Sequence, residues 1–346
     1  MYVNVMVNGR GPYRMFVDTG CSVTVISPEL AAAVGAISAT PDANPVVAIN
    51  ALGDSTDIQP VLLKSIDVGG VAFEGVTACV ANTFDRLSQI DGRRVDGMLG
   101  FPLFSDLYLA LDFPNKRILL SNTWPEDVPP IRTALPMTEH DGVPFVQIKI
   151  QGLPVEVMID TGFNQDLQLS AATSLAMHWK EKPRPGSLFA VFGEADRESI
   201  GRLMGNMNWG GVRQAEPTTT ISSGLPSIGV RFLQNFCVVF HESEDRVWLC
   251  SAGTEPIPSP IVRSIGLSLL SDKNGWRVAG IIPGSPAASA RIKAGELITH
   301  IEGQSARSWT RDQLQHWINT HDTVTLAVEG NSGDRDMSLR VWSLVP

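Results

Sequence analysis

Cysteine, basic residues and long apolar runs are all scarce in this chain, and each scarcity excludes a class of protein. Four cysteines in 346 residues cannot build a disulfide scaffold, and the absence of any C-x-x-C pair disfavours a zinc ribbon or a thioredoxin site. Lysine and arginine number 27 against 36 acidic residues, which gives a net charge of −9 that repels nucleic-acid phosphates. No uncharged apolar run approaches the ~18 residues that a membrane helix needs. We therefore expect no nucleic-acid partner and no membrane span within this chain.

The motifs of several common enzyme chemistries are also missing. The sequence has no G-x-S-x-G, no Walker loop and no G-x-G-x-x-G, and HESED at residues 241–245 lacks the second histidine of a zincin. We expect neither a metal nor a cofactor. The chain begins MYVNVMVNG, which is an alternating strand and not a signal peptide. We expect the natural start, with any export signal or anchor, to lie upstream of Met1.

An internal repeat organises the first 250 or so residues. Residues 15–20 (MFVDTG) recur as residues 157–162 (VMIDTG), and each copy follows an alternating strand and a turn glycine. Residues 98–104 (MLGFPLF) correspond to residues 227–233 (SIGVRFL), and a hairpin follows each. Period-2 alternation between Gly, Pro, Asn and Asp punctuation predicts strands. Each copy is therefore predicted to be a small β lobe with its own core.

Proline-rich breaks divide the chain into three predicted domains. Residues 122–142 contain four prolines and form an extended crossover, and residues 256–260 read PIPSP. The domains are an N-terminal lobe at 1–122, a second lobe at 143–252, and a separate domain at 262–346 that resembles neither lobe.

Two aspartates occupy equivalent places in the two lobes. Asp18 and Asp160 each begin an Asp-Thr-Gly turn after an apolar strand. If a pseudo-twofold axis relates the lobes, the two carboxyl groups meet at that axis, where like charges about 3 Å apart cannot both be ionised. They then share one proton and hold a water molecule. The ionised carboxylate removes a proton from that water, while the protonated carboxyl polarises a substrate carbonyl.

The other residues of the two triplets support this arrangement. Gly20 and Gly162 allow a sharp turn that brings backbone N–H groups toward the carboxylates. Thr19 and Thr161 are placed to hydrogen-bond across the axis and to lock the two loops together. A single Asp-Thr-Gly is typical of an ordinary turn, whereas two in register within a repeat indicate a catalytic site.

Residues 1 to about 252 resemble the single-chain aspartic proteases of the retropepsin and pepsin superfamily. The resemblance rests on the two Asp-Thr-Gly triplets and on the elements at residues 98–100 and 227–229, which back the catalytic loops in that family. The short lobes are closer to retropepsin protomers than to pepsin halves, and the short bacterial duplicated forms are the nearest match. The resemblance implies a mostly β fold of two pseudo-symmetric lobes, with Asp18 and Asp160 as the catalytic pair.

Two positions depart from the family pattern. Cys21 and Phe163 follow the triplets, where pepsins have Ser or Thr and retropepsins have Ala. Neither side chain donates a good hydrogen bond to its aspartate, which affects the pKa values of the pair. Cys21 is either a nucleophile or a small buried thiol, and the absence of a histidine nearby in sequence favours the thiol.

The resemblance also implies a β-hairpin flap over the cleft in each lobe. Residues 46–54 and 188–194 each have an alternating apolar strand that ends at a glycine tip. An ordinary surface hairpin is the alternative at both places. The predicted flap residues are Asn50, Leu52, Gly53, Phe192 and Gly193.

The hairpin at residues 236–251 contains two cysteines whose oxidation state would indicate the redox compartment of the protein. A turn at 242–245 pairs residue 241 with residue 246 and so places Cys237 opposite Cys250. The two thiols either form a cross-strand disulfide, which would indicate an oxidising compartment, or pack as free thiols.

Residues 262–346 have a strand and helix pattern of their own. Residues 278–288 (VAGIIPGSPAA) and 292–303 (IKAGELITHIEG), followed by a capping box of Thr310 with Gln313, resemble a PDZ domain of the kind associated with bacterial proteases. Glu296 stands where that family usually has aspartate. A glycine-containing loop then offers N–H groups to a peptide carboxylate, and a ligand strand adds beside the following residues. The predicted peptide-binding residues are Ile265, Gly266, Leu267, Ser268 and Leu269.

The sequence as a whole predicts an aspartic endopeptidase followed by a PDZ domain. Water hydrolyses the peptide bond of a protein or peptide substrate without a covalent intermediate, and one chain supplies both aspartates, so a monomer suffices. The PDZ domain takes a peptide ligand and recruits substrate, caps the cleft or holds the protease latent. A catalytically silent peptide-binding scaffold is the alternative. Because PDZ-bearing peptidases often work in bacterial envelopes, the resemblance implies the periplasm or cell envelope.

Overall fold

The computed structural model describes residues 1–39, 46–49, 55–186, 198–251, 257–330 and 333–346, and the described chain is mostly β. It consists of two compact units. The first unit contains Met1–Phe84, Val95–Glu181 and Arg202–Ser259, and the second contains Asp85–Arg94, Lys182–Gly201 and Pro260–Pro346.

The strands are numbered here in chain order. Those of the N-terminal lobe are β1 (Tyr2–Val7), β2 (Arg10–Asp18), β3 (Thr24–Ile26), β4 (Ile37–Ser38), β5 (Val46–Ile49), β6 (Ser55–Val68), β7 (Val71–Val80), β8 (Gly97–Gly100), β9 (Tyr108–Asp112) and β10 (Arg117–Ser121). The next are β11 (Ile131–Pro136), β12 (Thr138–His140), β13 (Val143–Ile150), β14 (Leu153–Ile159), β15 (Leu167–Ser170), β16 (Arg184–Pro185), β17 (Ser199–Arg202), β18 (Asn206–Trp209), β19 (Val212–Ala215), β20 (Thr218–Ser222), β21 (Ser227–Ile228), β22 (Cys237–His241) and β23 (Arg246–Cys250). The last are β24 (Val262–Ser264), β25 (Leu267–Asp272), β26 (Gly275–Ile281), β27 (Leu297–Ile301), β28 (Gln304–Ser305), β29 (Thr323–Glu329), β30 (Arg335–Arg340) and β31 (Trp342–Val345).

The helices are short. They are α1 (Pro28–Val34), α2 (Phe84–Asp91), α3 (Ala171–Ser174), α4 (Val230–Leu233), α5 (Pro286–Ser289) and α6 (Arg311–Thr320), with single 3-10 turns at Phe101–Phe104, Glu242–Glu244 and Ala306–Ser308. Within the described ranges, none of them has the length and apolar character needed to cross a membrane.

The same strand order builds both lobes. In the N-terminal lobe β8 lies between β2 and β3, parallel to β2 and antiparallel to β3, and β7 follows beside β3. In the second lobe β21 lies in the same way between β14 and β15, and β20 follows beside β15. The central strands β3 and β8 are buried at every residue and contain no charged side chain. The repeat in the sequence therefore corresponds to a repeat in topology.

The two lobes share a sheet and a core. The sheet has the order β10-β9-β22-β23-β11, so that β9 of the first lobe pairs with β22 of the second. Phe101 and Phe240 meet edge to face within the common core, with ring centres 5.5 Å apart. The sequence predicts residues 122–142 only as an extended crossover, but β11 within it is one of the two edge strands of this sheet. An edge is the place in a sheet that tolerates Pro136.

The hairpin of β22 and β23 has the predicted register. His241 pairs with Arg246, and Cys237 lies opposite Cys250. Both cysteines are buried free thiols. Burial raises the pKa of Cys237 to about 12 and the pKa of Cys250 to about 11, so both are protonated at neutral pH.

A six-stranded sheet forms the centre of the second unit. Its order is β25-β26-β27-β29-β30, with β28 paired to β27, and β25 is an edge strand. Helix α6 buries Leu314 and Ile318 against this unit's core. The predicted capping box is present: Thr310 Oγ1 accepts from the Gln313 N–H at 3.2 Å, and Gln313 Oε1 accepts from the Thr310 N–H at 2.7 Å.

Two segments from the middle of the lobe sequences belong to the second unit. One is residues 85–94, which include most of α2. The other contains β16 and the start of β17, where Arg184 pairs with Ile200. Ile200 packs in one apolar cluster with Ile282 and Val345. The sequence predicts neither the helix α2 nor these associations.

Candidate active site

Asp18 and Asp160 stand at the same point of the two lobes. Asp18 is the last residue of β2, opposite Gly100 of β8. Asp160 directly follows β14, and its N–H donates to the Ile228 carbonyl of β21 at 3.0 Å. The apolar residues of the two preceding strands are buried, at Met15, Val17, Val157 and Ile159. Each lobe therefore delivers one carboxyl group from the end of an interior strand.

Thr19 and Thr161 tie the two turns together. The Thr19 N–H donates to Thr161 Oγ1 at 3.0 Å, and the Thr161 N–H donates to Thr19 Oγ1 at 3.1 Å. Thr19 Oγ1 donates to the Ile159 carbonyl at 2.6 Å, and Thr161 Oγ1 donates to the Val17 carbonyl at 2.9 Å. All four bonds cross between the lobes, and both threonines are buried. The turns are held in one fixed relation, as the sequence predicts for bonds across the axis.

Gly20 and Gly162 let each turn approach the other lobe's aspartate. A Cβ on Gly20 would lie 2.6 Å from Asp160 Cγ, and a Cβ on Gly162 would lie 2.6 Å from Asp18 Oδ2. Any larger residue would push the aspartates away. Each glycine N–H also donates a hydrogen bond to the aspartate of its own turn: Gly20 donates to Asp18 Oδ1 at 3.0 Å, and Gly162 donates to Asp160 Oδ1 at 2.8 Å.

A second pair of glycines stands behind the turns. A Cβ on Gly100 would lie 2.5 Å from the Val23 carbonyl carbon, and a Cβ on Gly229 would lie 2.4 Å from the Gln165 oxygen. The residue after each glycine donates its N–H to the turn, Phe101 to the Cys21 carbonyl at 3.0 Å and Val230 to the Phe163 carbonyl at 2.8 Å. These elements support the two turns from behind.

The two carboxyl groups are close enough for the charge of Asp160 to act on Asp18, and each lies against the turn glycine of the other lobe. Burial, followed by the neighbouring charge of Asp160, raises the pKa of Asp18 to about 8. Burial also raises the pKa of Asp160. Interacting carboxyls titrate as a pair, and the pKa of about 8 keeps Asp18 protonated at neutral pH.

Backbone donors distinguish the two carboxyls. Asp160 Oδ1 accepts from the N–H of Gly162 and, at 3.1 Å, from the N–H of Phe163, whereas Asp18 Oδ1 accepts from the N–H of Gly20. Donors to a carboxylate favour its charged form, so these bonds oppose the effect of burial on the pKa of Asp160. In a singly protonated pair these donors therefore favour the negative charge on Asp160 and the proton on Asp18. The sequence did not predict the hydrogen bond from the Phe163 N–H, because only the side chain at that position was compared with the family pattern.

Cys21 is a thiol beside this pair. Its Sγ donates to the Val23 carbonyl at 3.0 Å. Burial, followed by the charge of Asp18, raises the pKa of Cys21 to about 12. Since the thiolate is the nucleophilic form, this environment favours the buried-thiol interpretation of Cys21.

The predicted flap hairpins are described only at their arms. In the N-terminal lobe β5 pairs with the start of β6, from Val46 opposite Ile58 to Ile49 opposite Ser55. In the second, β16 pairs with the start of β17. The predicted tip residues Asn50, Leu52, Gly53, Phe192 and Gly193 lie outside the described residues.

The predicted peptide-binding residues of the C-terminal domain lie at the start of β25. Ile265 and Gly266 form the loop before the strand, and residues 267–269 begin the strand itself. Gly266 has a φ of 87°, and a Cβ on it would lie 2.1 Å from the side chain of Ser285, so this position requires glycine. The Gly266 N–H donates to Ser264 Oγ at 2.9 Å, so that this loop donor is already used within the chain.

Two family models match the chain. Residues 3–103 match the model described as aspartyl protease, a stretch that includes Asp18, Thr19 and Gly20. Residues 257–329 match the model of the PDZ domain. No curated protein matches the sequence. The chain therefore has an aspartic protease-like N-terminal region and a PDZ domain within a mostly β fold.

Three solved structures are similar to parts of the chain at low sequence identity. The PDZ domain of HtrA3 bound to a phage-derived ligand (FGRWV) is 20% identical, with 24% of this chain and 88% of that chain covered and a TM-score of 0.22. A retropepsin-like aspartic protease from Rickettsia conorii is 16% identical, with 34% and 87% covered and a TM-score of 0.26. Basic 7S globulin from soybean is 13% identical, with 73% and 92% covered and a TM-score of 0.39. Scores this low leave the function to be inferred from the residues of the site.

Proposed function

We propose that the two lobes form an aspartic endopeptidase in which Asp18 and Asp160 activate water to hydrolyse a peptide bond. The observation that carries this proposal is the pair of carboxyl groups, each packed against the turn glycine of the other lobe and fixed by the crossed bonds of Thr19 and Thr161. Placing two carboxyls together in a largely enclosed site costs stability, and groups with such perturbed pKa values cluster at functional sites. Both carboxyls come from one chain, so a monomer suffices.

In the first step a water molecule attacks the carbonyl carbon of the peptide bond. As the new C–O bond forms, Asp160 accepts a proton from the water and Asp18 donates its proton to the carbonyl oxygen, which gives a neutral tetrahedral diol. Asp160 is the base because the N–H groups of Gly162 and Phe163 stabilise its charge. Asp18 is the acid because its raised pKa keeps it protonated near neutral pH.

In the second step the C–N bond breaks. Asp160 gives its proton to the amide nitrogen, and the leaving amine takes the bonding electron pair. A hydroxyl proton of the diol returns to Asp18 as the C=O bond re-forms. The products are a carboxylic acid and an amine, and the pair of aspartates ends in its starting protonation state without a covalent intermediate.

The PDZ domain supplies peptide recognition in this proposal. Because β25 is an edge strand, an extended peptide of a substrate or a regulator adds to it as a further strand. A location in the bacterial periplasm or envelope belongs to the same proposal and is supported only by the resemblance of the sequence.

A catalytically silent peptide-binding scaffold is the second candidate function. The observation that favours it is Cys21, whose Sγ donates to the Val23 carbonyl and so gives no hydrogen bond to Asp18. The phenyl side chain of Phe163, at the equivalent place in the second lobe, has no hydrogen-bond donor to offer. The two candidates differ in whether peptide bonds are cleaved.

Hydrolysis should show the pH dependence of a singly protonated pair. The active form has Asp18 protonated and Asp160 ionised, so the rate falls as the pH rises through about 8, where Asp18 loses its proton. It also falls at low pH, as Asp160 gains a proton. We expect the rate near neutral pH to exceed the rate at about pH 9.5 by a factor of about 10 or more.

An unfolded, alkylated protein incubated with the full chain over about pH 3 to 10 would measure this profile by mass spectrometry of the product peptides. Reaction in ¹⁸O-labelled water should place one ¹⁸O in each new C-terminus. A rate that keeps rising above about pH 9, or one that is abolished by Cys21→Ala, which removes the thiol without adding bulk, would contradict catalysis by the pair. No cleavage at any pH would favour the silent scaffold.

A further inference from the structure

A side chain of the second unit already engages the open edge of β25. Arg311, the first residue of α6, donates from Nη2 to the Leu269 carbonyl at 2.7 Å. Val278, which pairs with Leu269, uses its own N–H and C=O on its far side, toward Glu296 at 2.9 Å and Gly295 at 2.8 Å. The Leu269 carbonyl therefore points to the open edge, where the N–H of an added strand would reach it.

The same guanidinium group holds the end of α2. Arg311 Nε donates to the Ile90 carbonyl at 2.7 Å. Ile90 lies in the last turn of α2, where helix carbonyls lack partners within the helix and a cation is favoured by the helix dipole. Arg311 therefore caps α2 and bonds β25 at the same time.

The two hydrogen bonds of Arg311 place the end of α2 where a peptide strand would lie if it paired with β25. A guanidinium nitrogen 2.7 Å from the Leu269 oxygen takes the position of a strand N–H, which bonds at about 2.9 Å. Because one planar group makes both bonds, the Ile90 and Leu269 oxygens lie within about 8 Å of each other. An added strand lies about 4.8 Å from its neighbour, and its side chains extend farther. A bound peptide and the end of α2 therefore compete for one edge.

Arg311 is held in this position from two sides. The capping box of Thr310 and Gln313 fixes the first turn of α6, in which Arg311 lies. The ring of Trp276 lies beneath the guanidinium group, with its centre 5.7 Å from Arg311 Cζ. Trp276 is buried, and its Nε1 donates to the Ala306 carbonyl at 2.8 Å. The contact belongs to an ordered part of the domain.

We propose that Arg311 is a latch: through it, residues 85–94 close the β25 edge, and a peptide that binds at this edge releases them. This regulation rests on the proposed peptide binding by the PDZ domain. Residues 85–94 lead directly into β8, which pairs with β2 up to Asp18. Release of the latch thus acts on the chain segment that enters the catalytic lobe.

Amide hydrogen exchange of the full chain tests the latch without a ligand. Arg311→Gln should accelerate exchange at least about fivefold in residues 85–94, because the Ile90 carbonyl loses its partner and this segment opens more often. Arg311→Lys, which keeps the charge but only one donor group, should show a smaller effect. Arg307→Gln replaces an exposed arginine just before α6 and should change nothing. Unchanged exchange of residues 85–94 in a folded Arg311→Gln protein would overturn the latch.

Peptide affinity provides the second measurement. An array of short peptides with free C-termini should bind Arg311→Gln at least about fivefold more tightly than the wild type, because the edge is open before binding. Equal or weaker peptide binding by Arg311→Gln would overturn the proposal that the peptide and residues 85–94 compete for the β25 edge. If no peptide on the array binds either protein, the proposed peptide binding is wrong, while the exchange experiment still decides whether the latch exists.

Discussion

Replacing Asp18 by asparagine should lower the rate of peptide hydrolysis by about 1000-fold or more. Asparagine keeps the shape of the side chain and can still accept from the Gly20 N–H, but it cannot transfer a proton to the substrate carbonyl oxygen. A positioned proton transfer contributes about 10²–10⁴-fold. Asp160→Asn removes the base and should lower the rate by a similar factor. When residues act as one catalytic unit, the loss of one member costs about as much activity as the loss of all of them. Initial rates of cleavage of an unfolded protein at about pH 6 measure both variants.

Asp67→Asn is the matched control for these variants. Asp67 lies near the end of β6 in the same lobe and accepts from the Gly70 N–H of the following turn at 3.0 Å, a bond that asparagine can keep. Its rate should stay within about twofold of the wild type. If the wild type and a folded Asp18→Asn protein cleave at equal rates, the pair is not catalytic. If neither protein cleaves, the silent scaffold becomes the better account.

Gly162→Ala should lower the rate by about 100-fold or more while leaving both aspartates in place. The added Cβ would lie 2.6 Å from Asp18 Oδ2, so the turn and the carboxyl group must separate. A displacement of about 1 Å in a catalytic group can cost about 100-fold in rate. The overpacking should also lower the free energy of unfolding by about 1–3 kcal/mol. Cleavage rates and thermal unfolding of the purified variant measure the two effects.

Gly186→Ala gives the comparison for this substitution. A Cβ at Gly186 would lie 3.4 Å from Ile200 Cγ2, which is an ordinary van der Waals contact. We expect a rate and a stability close to those of the wild type. Full activity of Gly162→Ala, with unfolding unchanged, would mean that the two turns do not pack against each other's aspartates.

The catalytic turns could be predicted from the sequence because their determinants are local and occur twice. An apolar strand followed by Asp-Thr-Gly encodes the interior strand, the carboxyl group, the cross-lobe donor and the close approach in a few consecutive residues. The bonds between Thr19 and Thr161 then follow from the symmetry of the two lobes. The register of Cys237 with Cys250 was likewise predictable, because a hairpin turn fixes it.

Other features depend on backbone groups or on distant partners, which a residue pattern does not encode. The second donor to Asp160 is the N–H of Phe163, and a backbone donor is independent of side-chain identity. Arg311 resembles an ordinary surface charge in the sequence, since its acceptors are 42 and 221 residues away. Helix α2 did leave a signal, the spacing of the buried Phe84 and Leu87, but eight residues are too few for a secure helix prediction.

The most direct test of the central claim is the protonation of the paired carboxyls. Carboxyl ¹³C NMR of the full chain, assigned with Asp18→Asn and Asp160→Asn, would follow each aspartate through its titration. We predict that Asp18 stays protonated through about pH 6 and titrates near 8, and that its pKa falls when Asp160 is replaced by asparagine. Two independent titrations near the ordinary value of about 3.9, each unaffected by replacement of the other aspartate, would contradict the shared proton.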